Sequence, residues 1–467
     1  MPITSVNPTT GHVLESFETH SPGEVEAAVA GARAAFRDWS KVAFAERAAI
    51  VRRIGECLRA EKAELARTAT LEMGKPIAEA EAEVEKCAWN CGFYADNAEA
   101  FLSPEAVETT ASTSYVAFRP LGVVLAVMPW NYPYWQVIRF AAPALMAGNT
   151  VVLKHSSHVS RCALEIERVI HAAGLPAGAF RTLLISGVDA ERLVADPRIA
   201  AVTLTGSEAA GSAVAAAAGR AIKPTVLELG GSDPFIVLED ADLDAAAETA
   251  VRARFQNTGQ SCIAAKRFIA VDGIYDAFVS RFAELAGQLR VGDPLDRDTK
   301  LGPLVSAGQR ESLNRQVREA IEQGARPVLE GGPLEGAGFF FAPVVLADVT
   351  PEMTVFREET FGPVAAMTRA DDADHAIALA NDTRYGLGGN LWTGDTERAQ
   401  GLAARIESGN VFINGMTASD PRLPFGGVKC SGYGRELSSL GIREFVNIQT
   451  VWIGPAREPS PQKAASE

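Results

Sequence analysis

The chain is short of cysteine, histidine, long apolar runs and positive charge, and each shortage removes a class of protein. Six cysteines in 467 residues, at 57, 87, 91, 162, 262 and 430, are too sparse for a disulfide scaffold. Cys87 and Cys91 are four apart with no further Cys or His nearby to complete a zinc site, so they read as thiols of a helical core. His155 and His158 likewise lack a third ligand in sequence. No stretch reaches the roughly 18 apolar residues of a membrane helix. The start, Met-Pro-Ile-Thr-Ser-Val-Asn-Pro, has no basic segment followed by an apolar one, as a secretory leader would. The net charge of −14 repels phosphate backbones and anionic membranes, which argues against a nucleic-acid or membrane role. A reduced, cytoplasmic protein is the expectation.

A hydrophobic share of 47% against 22% charged residues is that of a folded soluble protein. The length allows roughly two to four domains, each able to bury a core without a disulfide or metal. Helices dominate the first hundred residues. Ser21-Pro22-Gly23-Glu24 reads as an N-cap, a first-turn proline and a capping-box acid. A second helix is expected from about Ala45 to the Gly74-Lys75-Pro76 stop. The next carries Glu79, Glu81, Glu83 and Glu85, whose i, i+4 like-charge pairs read as a solvated face. From about residue 115, β-branched runs at 123–127, 150–153, 182–185 and 200–204 alternate with helical patterns at 160–173 and 207–218. A second series follows, at 235–238, 267–271, 344–346 and 411–414. Such alternation predicts α/β architecture with parallel sheets covered on both faces, in two domains. The Pro-, Ser- and Ala-rich tail from residue 455 reads as disordered.

Four segments carry possible chemistry. Phe-Gln-Asn-Thr-Gly-Gln-Ser-Cys (255–262) delivers a cysteine on a polar loop, either as a nucleophile or as a structural thiol. Val-Leu-Glu-Leu-Gly-Gly (226–231) embeds an acid at an apolar strand end. Burial raises a carboxyl pKa and suits Glu228 to general-base work, and a locally paired Glu is the alternative. Pro-Trp-Asn-Tyr-Pro (129–133) holds Asn131 in a rigid turn, as an oxyanion donor or as an ordinary turn residue. Leu-Thr-Gly-Ser-Glu-Ala-Ala-Gly (204–211) is a strand–glycine–helix junction that can present N–H groups to a pyrophosphate, though without the full three-glycine fingerprint.

Together and in this order these segments resemble the NAD(P)-dependent aldehyde dehydrogenases. The likeness runs from Asn7-Pro8 to about Trp452. It adds Val-Leu-Lys (152–154), Glu-Glu-Thr-Phe-Gly-Pro-Val (358–364) and Pro-Phe-Gly-Gly-Val-Lys-Cys-Ser-Gly (424–432). Lys154-His155 and Gly-Gly-Ser-Asp-Pro (230–234) resemble the bacterial succinate-semialdehyde branch of that family. The resemblance implies oxidation of an aldehyde to a carboxylic acid through a thioester on Cys262. Asn131 and the Cys262 N–H would hold the oxyanion, and Glu228 would activate water. For NAD or NADP it implies Trp130, Lys154, Ser157, Gly206, Ser207, Gly211, Glu359 and Phe361. Relatives selective for NAD often carry Glu where Ser157 stands, so use of both cofactors is expected. For the substrate it points to Arg139 as carboxylate clamp, Tyr132 and Trp135 as apolar walls, and Gln256, Ser419 and Arg422 as further contacts. Other semialdehydes and aliphatic or aromatic aldehydes remain rivals within the family. A cysteine hydrolase, the rival outside it, would need a His base, and no histidine stands in such a motif.

The implied organisation is a Rossmann-like cofactor domain (1–111 and 122–228) and an α/β catalytic domain (229–444). A small β oligomerisation arm (112–121 and 445–454) would join two such chains or four. Exposed strands of that length need a partner.

Overall fold

The structure, a computed structural model, describes residues 2–454; the tail from 455 lies outside the described residues. After an antiparallel pair of strands, Ile3–Val6 and Val13–Phe17, come four helices: α1 (Pro22–Trp39), α2 (Phe44–Ala60), α3 (Lys62–Met73) and α4 (Ile77–Phe101). The capping box forms as expected, with the Ser21 side chain accepting from Glu24 N–H and the Glu24 carboxylate accepting from Ser21 N–H. The single helix expected from Ala45 is two, meeting at Glu61, where φ −103° and ψ 14° leave the helical region. Gly74 ends α3 at φ +81°, a left-handed cap.

The first sheet has six strands. Its order is Gly432–Tyr433, Thr225–Glu228, Ile199–Thr205, Val123–Met128, Thr150–His155 and Phe180–Thr182. All pairs are parallel except the Gly432–Tyr433 edge. The strand expected at 182–185 ends at Thr182. The central strand shows why its sequence is apolar throughout. Val124, Ala126 and Met128 enter the core made with α2, α3, α4, α5 (Trp135–Ala147) and α6 (Ser160–Ala172). Val123 and Leu125 enter the opposite core, with α1, α7 (Gly187–Val194) and α8 (Glu208–Arg220). A strand covered on both faces has no polar side to show. Each such Val or Leu buried contributes about 1.5–3 kcal/mol.

The second sheet runs Arg326–Leu329, Val344–Ala347, Val364–Ala370, Ala265–Val271, Asp233–Val237, Gly388–Trp392 and Asn410–Ile413, parallel except at its first edge. Helix α9 (Leu243–Phe255) packs on it and leads to the cysteine loop. The chain then returns to the first sheet: Gly432–Tyr433 extends it, and Ser438–Arg443 packs on α4 and α5. The Tyr94 hydroxyl donates to Ser438 O at 3.0 Å. Thr113–Pro120 and Val446–Ile453 pair antiparallel in a separate three-stranded sheet, with Val446–Ile453 on its edge. No described helix is long and apolar enough to cross a membrane.

Candidate active site

The carboxyl ends of the first sheet's parallel strands converge on one crevice, the usual place for ligands in open α/β sheets. Met128 leads into Pro129-Trp130-Asn131, Thr205 into Gly206-Ser207, and Glu228 into Leu229-Gly230-Gly231. The second sheet faces the same crevice with the cysteine loop. Asn257, Thr258 and Gly259 take φ of +51°, +55° and +73°, a run of left-handed residues that turns the chain sharply after α9. For a β-branched Thr this is strained backbone, and the surroundings hold it. The Asn257 amide donates to Asn131 O at 2.8 Å and Gln260 O at 3.0 Å, and Thr258 Oγ1 accepts from Gly302 N–H at 3.0 Å. The buried Lys266 ammonium donates to the carbonyls of Ser261 (3.0 Å), Cys262 (2.8 Å) and Ala264 (3.0 Å). At Gly231 a Cβ would lie 2.7 Å from Cys262 O, so the Gly-Gly pair is what lets this loop sit against the first sheet.

Cys262 and Gln136 line two cavities at once. On one side is a cleft of about 260 Å³ walled by Trp130, Asn131, Gly206, Ser207, Glu359 and Phe361. Ser207 caps α8, accepting from Ala210 N–H, so the cleft opens on a helix N-terminus with the donors and dipole that favour phosphate. Gly211 lets α8 approach the sheet, since a Cβ there would meet Leu229 at 2.5 Å. The rings of Trp130 and Phe361 meet edge-on, centroids 5.6 Å apart. Glu359 accepts from Gly231 N–H at 3.1 Å and lies 3.4 Å from Lys266 Nζ. A dinucleotide fits this donor set. Lys154, Ser157 and Gly211 are outside the lining itself: Lys154 is the last residue but one of its strand, and Ser157 opens the short turn Ser157–Val159 beside it. His155 holds the neighbouring turn, its Nδ1 accepting from Ser156 N–H and its Nε2 bonded to Pro133 O, both at 2.8 Å.

On the other side is a cavity of about 390 Å³. Tyr132, Trp135, Arg139, Gln256 and Ser419 line it, as the sequence led us to expect. Arg422 does not. Its guanidinium is tied to Asp420 (2.9 and 2.6 Å) and lies over the exposed Trp89 ring, because the local Asp-Pro-Arg turn offers a nearer carboxylate. Arg139 reaches the wall but forms a buried ion pair with Glu436.

The Asn131 amide is pinned by its neighbours. Its Oδ1 accepts from Gln136 Nε2 and one Nδ2 hydrogen goes to Gln260 O, both at 3.1 Å, leaving the second N–H free. Burial pushes the Cys262 thiol up to about 12, against the pull of Lys266 and Arg139. Glu228 lies behind the wall and lines neither cavity. Both its oxygens are buried without a hydrogen bond, and burial, then Glu436, hold its carboxyl well above the ordinary range.

Sequence reasoning missed Lys86, Arg252, Glu79, Lys266 and Phe425. Of the two glutamate pairs on α4, Glu81 and Glu85 are part-exposed in surface ion pairs, whereas Glu79 and Glu83 are not solvated as expected. Glu83 is buried, paired with Lys75 and accepting from the N–H groups of Tyr134 (2.8 Å) and Trp135 (2.9 Å). Glu79, Glu83 and Lys86 form one stripe, spaced i, i+4, i+7, that lines the cavity. A lysine completing that stripe was the available signal.

The aldehyde dehydrogenase family model matches residues 1–451. Among curated relatives, a succinate-semialdehyde dehydrogenase [NADP(+)] of Mycolicibacterium paratuberculosis is 53% identical over 98% of each chain. One of Mycobacterium ulcerans is 54% identical over 97% of this chain and all of the relative. Among solved structures, succinic semialdehyde dehydrogenase from Streptococcus pyogenes with NADP+ superposes with TM-score 0.95 at 38% identity, over 97% of this chain and 100% of that one. An NAD-dependent aldehyde dehydrogenase from Sinorhizobium meliloti gives 0.95 at 36%, over 99% and 93%. With a lone thiol between a phosphate-ready cleft and a second cavity, and with this likeness along its whole length, the chain belongs to the aldehyde dehydrogenase family.

Proposed function

We propose that this enzyme oxidises succinate semialdehyde to succinate, with NADP as the preferred hydride acceptor and NAD also accepted. The observation that carries it is the position of Cys262, between a cleft built for a dinucleotide and a cavity whose wall bears Lys86, Arg139 and Arg252. The S. pyogenes and mycobacterial relatives named for this substrate and for NADP support it. The dinucleotide, held by Trp130, Lys154, Ser157, Gly206, Ser207, Glu359 and Phe361, with Gly211 fitting α8 to the sheet, supplies the hydride acceptor. A serine at 157 brings no negative charge against a 2′-phosphate.

The thiol must lose its proton before it attacks. That proton passes to solvent water, and the positive charges of Lys266 and Arg139 favour the thiolate it leaves behind. Cys262 Sγ adds to the aldehyde carbon, and the oxyanion takes the free Asn131 N–H and the Cys262 N–H. Loss of hydride leaves a thioester on Sγ. Glu228 loses its proton to solvent as it turns toward the site, then takes one from water, whose hydroxide adds to the thioester carbon, breaks the C–S bond and expels the Cys262 thiolate, releasing the acid. The outer edge of Val446–Ile453, with Ile448, Trp452 and Ile453 exposed, joins a second copy in a dimer or tetramer working in the cytoplasm.

The chemistry is tested by two variants. Cys262→Ser should lose at least about 10³-fold in turnover. Glu228→Gln should give one equivalent of reduced cofactor in a burst, then stall. Sustained turnover at the parent rate in either variant contradicts the assignment.

A further inference from the structure

Three cations line the substrate cavity, and they differ in what already occupies them. Arg139 is spent on Glu436, with Glu228 close enough to add its own charge when ionised. Arg252 is exposed and stands at the rim. Lys86 has no carboxylate within ion-pair distance among the described residues. Its ammonium donates to Ser419 Oγ at 2.7 Å and sits 4.4 Å from the centre of the Trp135 ring, whose π face favours a cation. Lining the same cavity, Gln256 Nε2 is a buried donor without an acceptor. An unpaired ammonium and an unsatisfied amide facing one cavity ask for a shared anion. The acids on the same wall do not supply it. Glu83 is held by Lys75 and two backbone N–H groups, and Glu79 accepts from Asn257 N–H at 2.6 Å.

We propose that Lys86, rather than Arg139, reads the far carboxylate of the aldehyde, with Ser419 and Gln256 completing the seat. This rests on the substrate reading above. Arg139 then keeps Glu436 and Glu228 in place and adds a diffuse positive potential.

The pH dependence offers a second readout. The groups facing Lys86 are Arg139 on α5, Asp420 on the loop after Met416, and Glu83 and Cys87 on its own helix. Burial, then Arg139, hold the free ammonium down to about 8, so it loses charge as pH rises through that value. An arginine there stays charged throughout.

The experiment compares kcat/KM for succinate semialdehyde with that for butanal, its uncharged counterpart of equal length. In Lys86→Met the loss on succinate semialdehyde should exceed that on butanal by at least about tenfold, through KM, the effect of one charge-assisted hydrogen bond. Lys86→Arg should restore most of it and flatten the rise of KM above about pH 8 that is expected of the parent. If the parent prefers succinate semialdehyde and Lys86→Met keeps the preference, Lys86 is not the reader, although the substrate reading stands. An equal loss on both aldehydes makes Lys86 structural. A parent with no preference overturns the substrate reading and this inference with it.

Discussion

The two sides of Cys262 are built differently. The cleft toward Ser207, proposed for the cofactor, is shaped largely by backbone, with a helix N-terminus at Ser207 and glycines at 211, 230 and 231 that allow close approach, and is walled by Trp130, Glu359 and Phe361. The substrate side is side chains drawn from α4, α5, the α9–cysteine segment and the loop around Ser419. Backbone features sit in contiguous motifs and are set by local rules. Side-chain features are assembled across more than 300 residues, as in the hydrogen bond from Lys86 to Ser419, and their meaning depends on who else reaches them. An arginine and a lysine on one wall are equal in sequence, yet here one is neutralised by a buried partner and the other is not.

The largest expected effect breaks the comparison at Arg139. Removing it leaves Glu436 buried without its cation, next to Glu228. Breaking such a pair costs about 3–5 kcal/mol. Arg139→Ala should therefore unfold at clearly lower urea concentration than the parent, whereas Lys86→Met should not. Equal midpoints for parent and Arg139→Ala would show that the guanidinium is free for substrate after all. A smaller effect sharpens the comparison on the cofactor side. Ser157→Glu places a carboxylate beside the position proposed for the 2′-phosphate, and the ratio of kcat/KM for NADP to that for NAD should fall about tenfold or more, since like charges disfavour one another there. An unchanged ratio would remove Ser157 from the cofactor site.

Much of the fold was legible because its signals are local. The capping box at Ser21, the left-handed stop at Gly74 and the doubly buried run of Val123–Met128 follow from propensity and period alone. The break at Glu61 was not visible, since the sequence there carries neither glycine nor proline. Cys262, Asn131, Ser207 and Glu359, each from a different motif, line one crevice. Glu228 is set back from it, within electrostatic reach of Glu436 and Arg139, of which Glu436 is far off in sequence. Glu79 and Glu83 on α4 were misread because a run of glutamates looks solvated until Lys75, two backbone N–H groups and the Asn257 N–H are folded against them. Arg422 was misread for the opposite reason, its nearest partner being two residues away.

The central claim is that the cavity beyond Cys262 selects an aldehyde carrying a far carboxylate. The direct measurement is kcat/KM of the unaltered enzyme with NADP for succinate semialdehyde and for butanal, at one pH below 8 and one ionic strength. A ratio of at least about tenfold in favour of succinate semialdehyde, arising in KM and shrinking as pH rises above about 8, is the predicted result. A ratio near one, or one favouring butanal, would contradict it.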